Sequence, residues 1–199
     1  MMRPLCAFVA VLFLQHNTQA AEPFDWAPPT KHNQTIQLIR WSPDGNTLVT
    51  TAGNQIAFWD AKTGRKMRPI FALPAHTIGL PSWSGDSKRL VTYSSAQGKT
   101  SVWEANSCKH YRSLITHSLS TICCCLNHDG SQGYFGTYKG TIIVWDTATG
   151  EIIQTLQGNG KPLSKIAASG DGKIVIAGTQ ENTAILWDVT TGKQLHLLK

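Results

Sequence analysis

Three consecutive cysteines, Cys123-Cys124-Cys125, with a fourth at Cys108, are the residues of this chain best suited by type to covalent or metal chemistry. Thiolates act as nucleophiles, zinc ligands and disulfide partners. The spacing speaks against those uses. Zinc sites separate their thiolates by about two to four residues and add a second pair elsewhere. Neighbouring side chains on a strand point to opposite faces, so adjacent cysteines there do not bond to each other. The run is expected to serve as small apolar core residues. A surface-reachable thiol paired with Cys108 is the sharper alternative. Cys6 comes before its apolar run has developed and does not read as a lipid-attachment site.

Other chemical signals fail in the same way. Gly98-Lys99-Thr100 resembles the end of a phosphate loop, but Tyr93 stands where the leading glycine belongs, and a strand pattern follows instead of a helix. There is no HExxH, no GxSxG and no calcium-loop spacing. Acidic residues fall singly in turn-like stretches, which suits turn capping and not a catalytic carboxylate pair. No enzyme activity, cofactor or metal is expected. The net charge of +6 is scattered apart from Lys62, Arg65, Lys66 and Arg68. One basic cluster on a turn reads as a solvated surface, so nucleic acid is not an expected partner.

The N-terminus, MMRPLCAFVAVLFLQHNTQAAEPF, has a basic Arg3, an apolar run from Leu5 to Leu14 and a polar stretch ending in small residues. This is the layout of a secretory signal, with Thr18-Gln19-Ala20 as its small-x-small cleavage site. The run is too short for a comfortable membrane span, so no span is expected after cleavage. Residues 1–20 are read as signal, 21–31 as lead-in and 32–199 as the folded part. The mature chain would be periplasmic or extracellular; without a functional signal it would be cytoplasmic. Asn33-Gln34-Thr35 is a glycosylation sequon, relevant only in a eukaryotic secretory route.

The elements that must hold these residues emerge from two periodic series. Trp59, Trp103, Trp145 and Trp187 recur at intervals of 44, 42 and 42 residues. The turns SPDG, SGDS, NHDG and SGDG put Asp44, Asp86, Asp129 and Asp171 at intervals of 42, 43 and 42. Two landmarks with a shared period mark an internal repeat, with units of about 32–74, 75–114, 115–157 and 158–199. Within a unit, short β-branched runs such as Ile36–Trp41, Thr47–Thr51 and Ile56–Trp59 alternate with turns. The turn after each tryptophan reads DAKTG, DTATG or DVTTG. The second unit has Glu104 and Cys108 instead, and its turn is expected to be distorted or longer. No helical period occurs in the mature chain. An all-β protein of small, two-sided apolar sheets follows, and such sheets must stack on their neighbours.

FWDAKTG, VWDTATG, LWDVTTG and the degenerate VWEANSC, with the upstream turns, resemble WD40 repeats, the blades of a β-propeller. The resemblance spans about residues 32–199 and implies four-stranded antiparallel blades. It gives Trp59, Asp60, Trp103, Trp145, Asp146, Trp187 and Asp188 structural roles. It makes His32 and His117 structural hydrogen-bonders at the family's histidine offset; His76 is out of register. The family links that histidine to the tryptophan through an aspartate, where this chain has Gly53, Gln97, Lys139 and Glu181. The polar network is therefore expected to be absent or partly built.

The resemblance also implies a protein-interaction scaffold whose partner docks on the loops into the first strand and between the second and third. The candidates are Asn54, Gln55, Gln97, Lys99, Tyr138, Lys139, Gln180 and Glu181, of which Tyr138 and Lys139 have the chemistry most typical of interfaces. Four units leave three arrangements: a compact ring, a ring completed by self-association, or a piece of a longer WD40 protein. An open arc would expose two apolar faces. The chain ends where the last strand of the fourth unit would finish, and Met1 begins a signal-like segment, so self-association or a short natural product is expected at least as much as a random truncation. The competing function, an exported propeller enzyme or small-ligand binder using the central channel, has only Arg40, Lys165 and the cysteines for support.

Overall fold

A computed structural model describes residues 32, 34–67, 71–72, 79–94, 99–115 and 121–199. The signal and lead-in readings, together with Gln97, His76 and His117, lie outside these residues. The described residues form sixteen strands and no helix. The first sheet is β1 (Leu38–Trp41), β2 (Thr47–Ala52), β3 (Gln55–Asp60) and β4 (Phe71–Ala72). The second is β5 (Ser82–Trp83), β6 (Arg89–Ser94), β7 (Lys99–Glu104) and β8 (Lys109–Ile115). The third is β9 (Thr121–Leu126), β10 (Gln132–Thr137), β11 (Ile142–Asp146) and β12 (Ile152–Leu156). The fourth is β13 (Leu163–Ala168), β14 (Ile174–Thr179), β15 (Ala184–Asp188) and β16 (Gln194–Leu198). Each sheet is an antiparallel meander in chain order, one blade per repeat.

The turns are set by their aspartates. Between first and second strands, the Ser42, Ser131 and Ser169 hydroxyls donate to Asp44, Asp129 and Asp171 at 2.6–2.7 Å. The N–H two residues after each aspartate donates to the same carboxylate, at 2.9–3.1 Å. After the third strand, Asp60, Asp146 and Asp188 accept the N–H of Thr63, Thr149 and Thr191. Hydrogen bonds to the charged form hold all six carboxyls below their ordinary range, the serine hydroxyl contributing most in the first set and the threonine N–H in the second. For Asp86, burial pushes the other way, but bonds from Ser84 and Lys88 prevail and its carboxyl is also lowered.

A carboxyl depressed in the folded state stabilises it above the unfolded-state pKa, and that stability is lost as pH falls through the folded-state pKa. The contribution of these carboxylates should therefore be level above about pH 4, and stability should fall steeply together with blade structure below it. Urea unfolding followed across an acid series checks this.

The last turns also show why the second repeat differs. Gly64, Gly150 and Gly192 take φ of 68°, 81° and 72°, and their N–H bonds the carbonyl four residues back. Cys108 occupies the same place at φ 49°, and its N–H reaches only Ala105, three back, at 3.3 Å. The turn is distorted, as expected, but not lengthened: Glu104 still pairs with Lys109 across it. Cys108 is buried, with its thiol donating to the Ala105 carbonyl, so side-chain burial replaces the glycine's conformational freedom there.

Three apolar clusters hold the blades together. Val49, Ile56 and Phe58 of the first blade meet Leu90, Trp103 and Cys108 of the second. Val91 and Val102 of the second meet Cys124, Phe135, Ile143 and Trp145 of the third. Cys123, Cys125, Tyr134, Ile142 and Val144 of the third meet Val175, Ala177, Ile185 and Trp187 of the fourth. Strand alternation thus sends Cys124 to one side of its blade and Cys123 and Cys125 to the other. All four described cysteines are buried, and Cys108 packs in a different cluster from the run, which removes the reachable-thiol alternative. Among the described residues, no cluster joins the fourth blade to the first.

Candidate docking face

The turn between the second and third strands of the third blade reads Thr137-Tyr-Lys-Gly-Thr141, and that of the fourth reads Thr179-Gln-Glu-Asn-Thr183. In each, the flanking threonine hydroxyls meet at 2.8 Å, and the backbone N–H of the first donates to the carbonyl of the second. The fourth turn residue is left-handed in both, Gly140 at φ 76° and Asn182 at φ 59°. The clasp holds the two intervening side chains outward. Tyr138 is 58% exposed, and Lys139, Gln180 and Glu181 are exposed beside it on their turns.

The loop 157–162, which leads into β13, joins the two turns. A Cβ on Gly140 would lie 2.6 Å from the Lys161 carbonyl, and one on Gly158 would lie 2.1 Å from the Gly140 carbonyl. The Gln180 N–H donates to the Pro162 carbonyl at 3.0 Å. Lys161 Nζ sits 2.7 Å from Glu181 Oε1, an exposed pair worth at most about 1 kcal/mol but fixing both heads in place. Tyr138, Lys139, Lys161, Gln180 and Glu181 therefore form one continuous surface. A cavity of about 550 Å³ shares Gln180 and is otherwise lined by Gly79, Tyr93, Ile122, Leu163, Ser164 and Lys165.

The structure thus unites two of the four loop pairs named from the sequence. Asn54 and Gln55 belong to the first blade, where the Gln34 side chain overlies Gly53 and His32 Nδ1 lies 3.3 Å from Gln55 Oε1. Lys99 is half-buried at the start of β7, in the second blade. Lys161 was missed, although its loop leads into a first strand, the other loop class the family uses. Its signal was a lysine in a glycine-rich stretch, Gly158-Asn-Gly-Lys161, where backbones can approach closely.

The polar network is partly built, and differently in each blade. In the first, His32 Nε2 lies 2.8 Å from Thr50 Oγ1, which also accepts the Trp59 indole N–H at 2.8 Å. One threonine thus spans the gap that an aspartate–serine chain fills in the family. Burial lowers the His32 pKa, so the ring is neutral at pH 7. In the second blade, Trp103 donates to Thr92 at 3.0 Å. Phe135 takes that position in the third, its ring tilted against Trp145 with centroids 5.3 Å apart, and the buried Trp145 N–H finds no acceptor among the described residues. In the fourth blade the position is Ala177, and Trp187 donates to the Gln157 carbonyl at 2.9 Å.

The thiols are chemically quiet. Burial pushes Cys123 up to about 11 and Cys125 up to about 12, and raises Cys124 well above the ordinary thiol range. At neutral pH they are protonated, poor nucleophiles and poor metal ligands. Among the described residues no group of three or more histidines, cysteines and carboxylates is placed to hold a metal, and no helix is long and apolar enough to cross a membrane.

Comparison with known proteins agrees with the blades. The model of the WD domain, G-beta repeat, matches residues 29–60 and 150–188. The chain is 39% identical over 79 residues to WD repeat-containing protein 1 of Rattus norvegicus, covering 38% of this chain and 13% of that protein. Its similarity to the Gallus gallus protein of the same name is 27% over 169 residues, covering 60% of this chain and 28% of the relative. The serine-threonine kinase receptor-associated protein of Dictyostelium discoideum is 27% identical over 111 residues, covering 56% and 37% respectively. The chain spans less than a third of the length of the WD repeat-containing protein 1 relatives it matches. With four such blades and the repeat model matching in the first and the fourth of them, this chain is built of repeats of the WD40 type.

Proposed function

We propose that this chain is a non-catalytic protein-interaction scaffold, and that its partner docks on the surface of Tyr138, Lys139, Lys161, Gln180 and Glu181. One observation carries the reading: a large exposed aromatic beside a lysine stands on one of two neighbouring turns, each pre-formed by a threonine clasp. Fixed loops lose little entropy on binding, and an exposed tyrosine offers large contact area with few torsions to freeze. The neighbouring cavity supports an enzyme less well. Burial pushes the Tyr93 hydroxyl up to about 12, and no carboxylate or histidine among the lining residues stands ready to activate Ser164.

The N-terminal layout supports export, and the apolar outer faces of the end blades support completion of the ring by self-association. Affinity capture from the exported fraction, comparing wild type with Tyr138→Ala and Lys139→Glu, tests the docking face. Both side chains are exposed, so folding should be unchanged by circular dichroism. Partner recovery is expected to fall at least about tenfold with Tyr138→Ala, consistent with loss of a central aromatic contact. Equal recovery by both variants and wild type would refute the assignment. N-terminal sequencing of the exported chain should begin at Ala21.

A further inference from the structure

In every internal junction the same two surfaces meet. The preceding blade supplies a cross-strand pair from its second and third strands: Val49 opposite Phe58, Val91 opposite Val102, Tyr134 opposite Val144. The following blade supplies its tryptophan, respectively Trp103, Trp145 and Trp187, each at most 1% exposed. Four blades make three junctions, so one member of each kind is left over. The unused pair is Ile176 opposite Leu186, on the side of the fourth blade away from Trp187. The unused tryptophan is Trp59, on the side of the first blade away from Phe58.

Both leftover surfaces are apolar and open. Register puts Ile39 and Trp41 of β1 on the face of Leu48 and Trp59. They are 55% and 58% exposed, whereas Trp59 and Leu48 are half-buried. On the fourth blade, Ile174 and Leu198 share the face of Ile176 and Leu186, and are 38% and 49% exposed. The molecule thus displays a free tryptophan face at one end and its matching aliphatic face at the other.

We infer that these two faces bind each other between copies of the chain, head to tail, so that two copies close a ring of eight blades. This rests on the self-association reading above and names its surfaces and geometry. The occupant is a second copy because the chain itself carries the complement to each open face, in a junction it already forms three times. Such a contact is heterologous, so two copies joined reciprocally make two identical junctions and leave no open end. Eight blades lie within the range of about four to eight that propellers use. Each copy's Trp59 is then buried against Ile176 and Leu186 of the other, as Trp103 is against Val49 and Phe58.

Sedimentation of wild type, Trp41→Glu, Ile174→Glu and an equimolar mixture of the two variants tests this. Wild type should sediment as a dimer and each variant alone as a monomer with a wild-type circular dichroism spectrum. The mixture should recover a dimer, because the intact fourth-blade face of one variant meets the intact first-blade face of the other. Both substitutions add the same charge, so recovery does not arise from a new ion pair. The mixed dimer has one junction in place of two and should dissociate at about a hundredfold higher concentration than wild type. Ile39→Glu and Leu198→Glu provide a second pair on the same faces, in case a first variant fails to fold. A monomeric wild type would overturn self-association altogether. A dimer that survives either substitution, or a mixture that stays monomeric, would overturn the head-to-tail assignment alone. Open-ended filaments would overturn ring closure.

Discussion

Replacing Trp187 with alanine is expected to cost the fold about 3–5 kcal/mol, the range for deleting a large aromatic from a packed core. The ring is fully buried between the third and fourth blades, and its N–H satisfies the Gln157 carbonyl. Alanine would leave a cavity beside Tyr134 and Val144 and a carbonyl short of its donor. The same substitution at Trp59 should cost clearly less at low protein concentration, although the two residues hold the same place in the repeat. Trp59 is half-exposed and, among the described residues, joins no cluster with a neighbouring blade. Urea unfolding of both variants checks the ordering. Equal losses would mean that Trp59 is covered in the monomer.

Arg89→Met is expected to cost about 2 kcal/mol and to loosen the coupling between the second and third blades. The Arg89 guanidinium donates to the Gly130 carbonyl at 2.8 Å and to Thr147 Oγ1 at 2.7 Å, both in the third blade. It also stacks 4.7 Å from the Tyr111 ring of its own blade. Methionine keeps much of the apolar stem and removes the charge-assisted bonds, each worth about 1.5–3 kcal/mol when formed by a charged group. Arg89 is only half-buried, so water replaces part of each bond and brings the combined loss down to about 2 kcal/mol. Stacked repeats are coupled through nearest-neighbour junctions, so weakening the central one should broaden the unfolding transition and lower its m-value. An unchanged m-value with an unchanged midpoint would show that apolar packing alone carries this junction.

The legibility of the fold varied with the range of the interactions. Turn chemistry is local: a serine or asparagine, an aspartate and a left-handed residue within four positions are enough to close a turn. SPDG, NHDG and SGDG therefore announced their turns correctly, and the distortion at Cys108 was visible as a missing glycine. Strand alternation is equally local and sent Cys123, Cys124 and Cys125 into two different cores. The polar network was harder to read, because its partners are set by register across strands. That Thr50 joins His32 to Trp59 depends on the pairing of β2 with β3 and on the approach of a residue outside the sheet.

The proposed docking face divides along the same line. Tyr138, Lys139, Gln180 and Glu181 were visible as non-repeating residues in equivalent turns, but their union was not. It depends on how loop 157–162 is pressed against Gly140 and Gly158, and that follows from the packing of the fourth blade on the third. Lys161 joins the surface for that reason alone.

By itself the sequence determined the blade: its period, its strands, its aspartate turns and the tryptophan that each third strand carries. All of these follow from hydrogen bonds and side-chain alternation acting over a few residues. Only the tertiary structure decided which tryptophan goes uncovered and which aliphatic pair is left without one. Blade faces acquire neighbours only when the sheets stack, and identical repeats become unequal by their position in the stack.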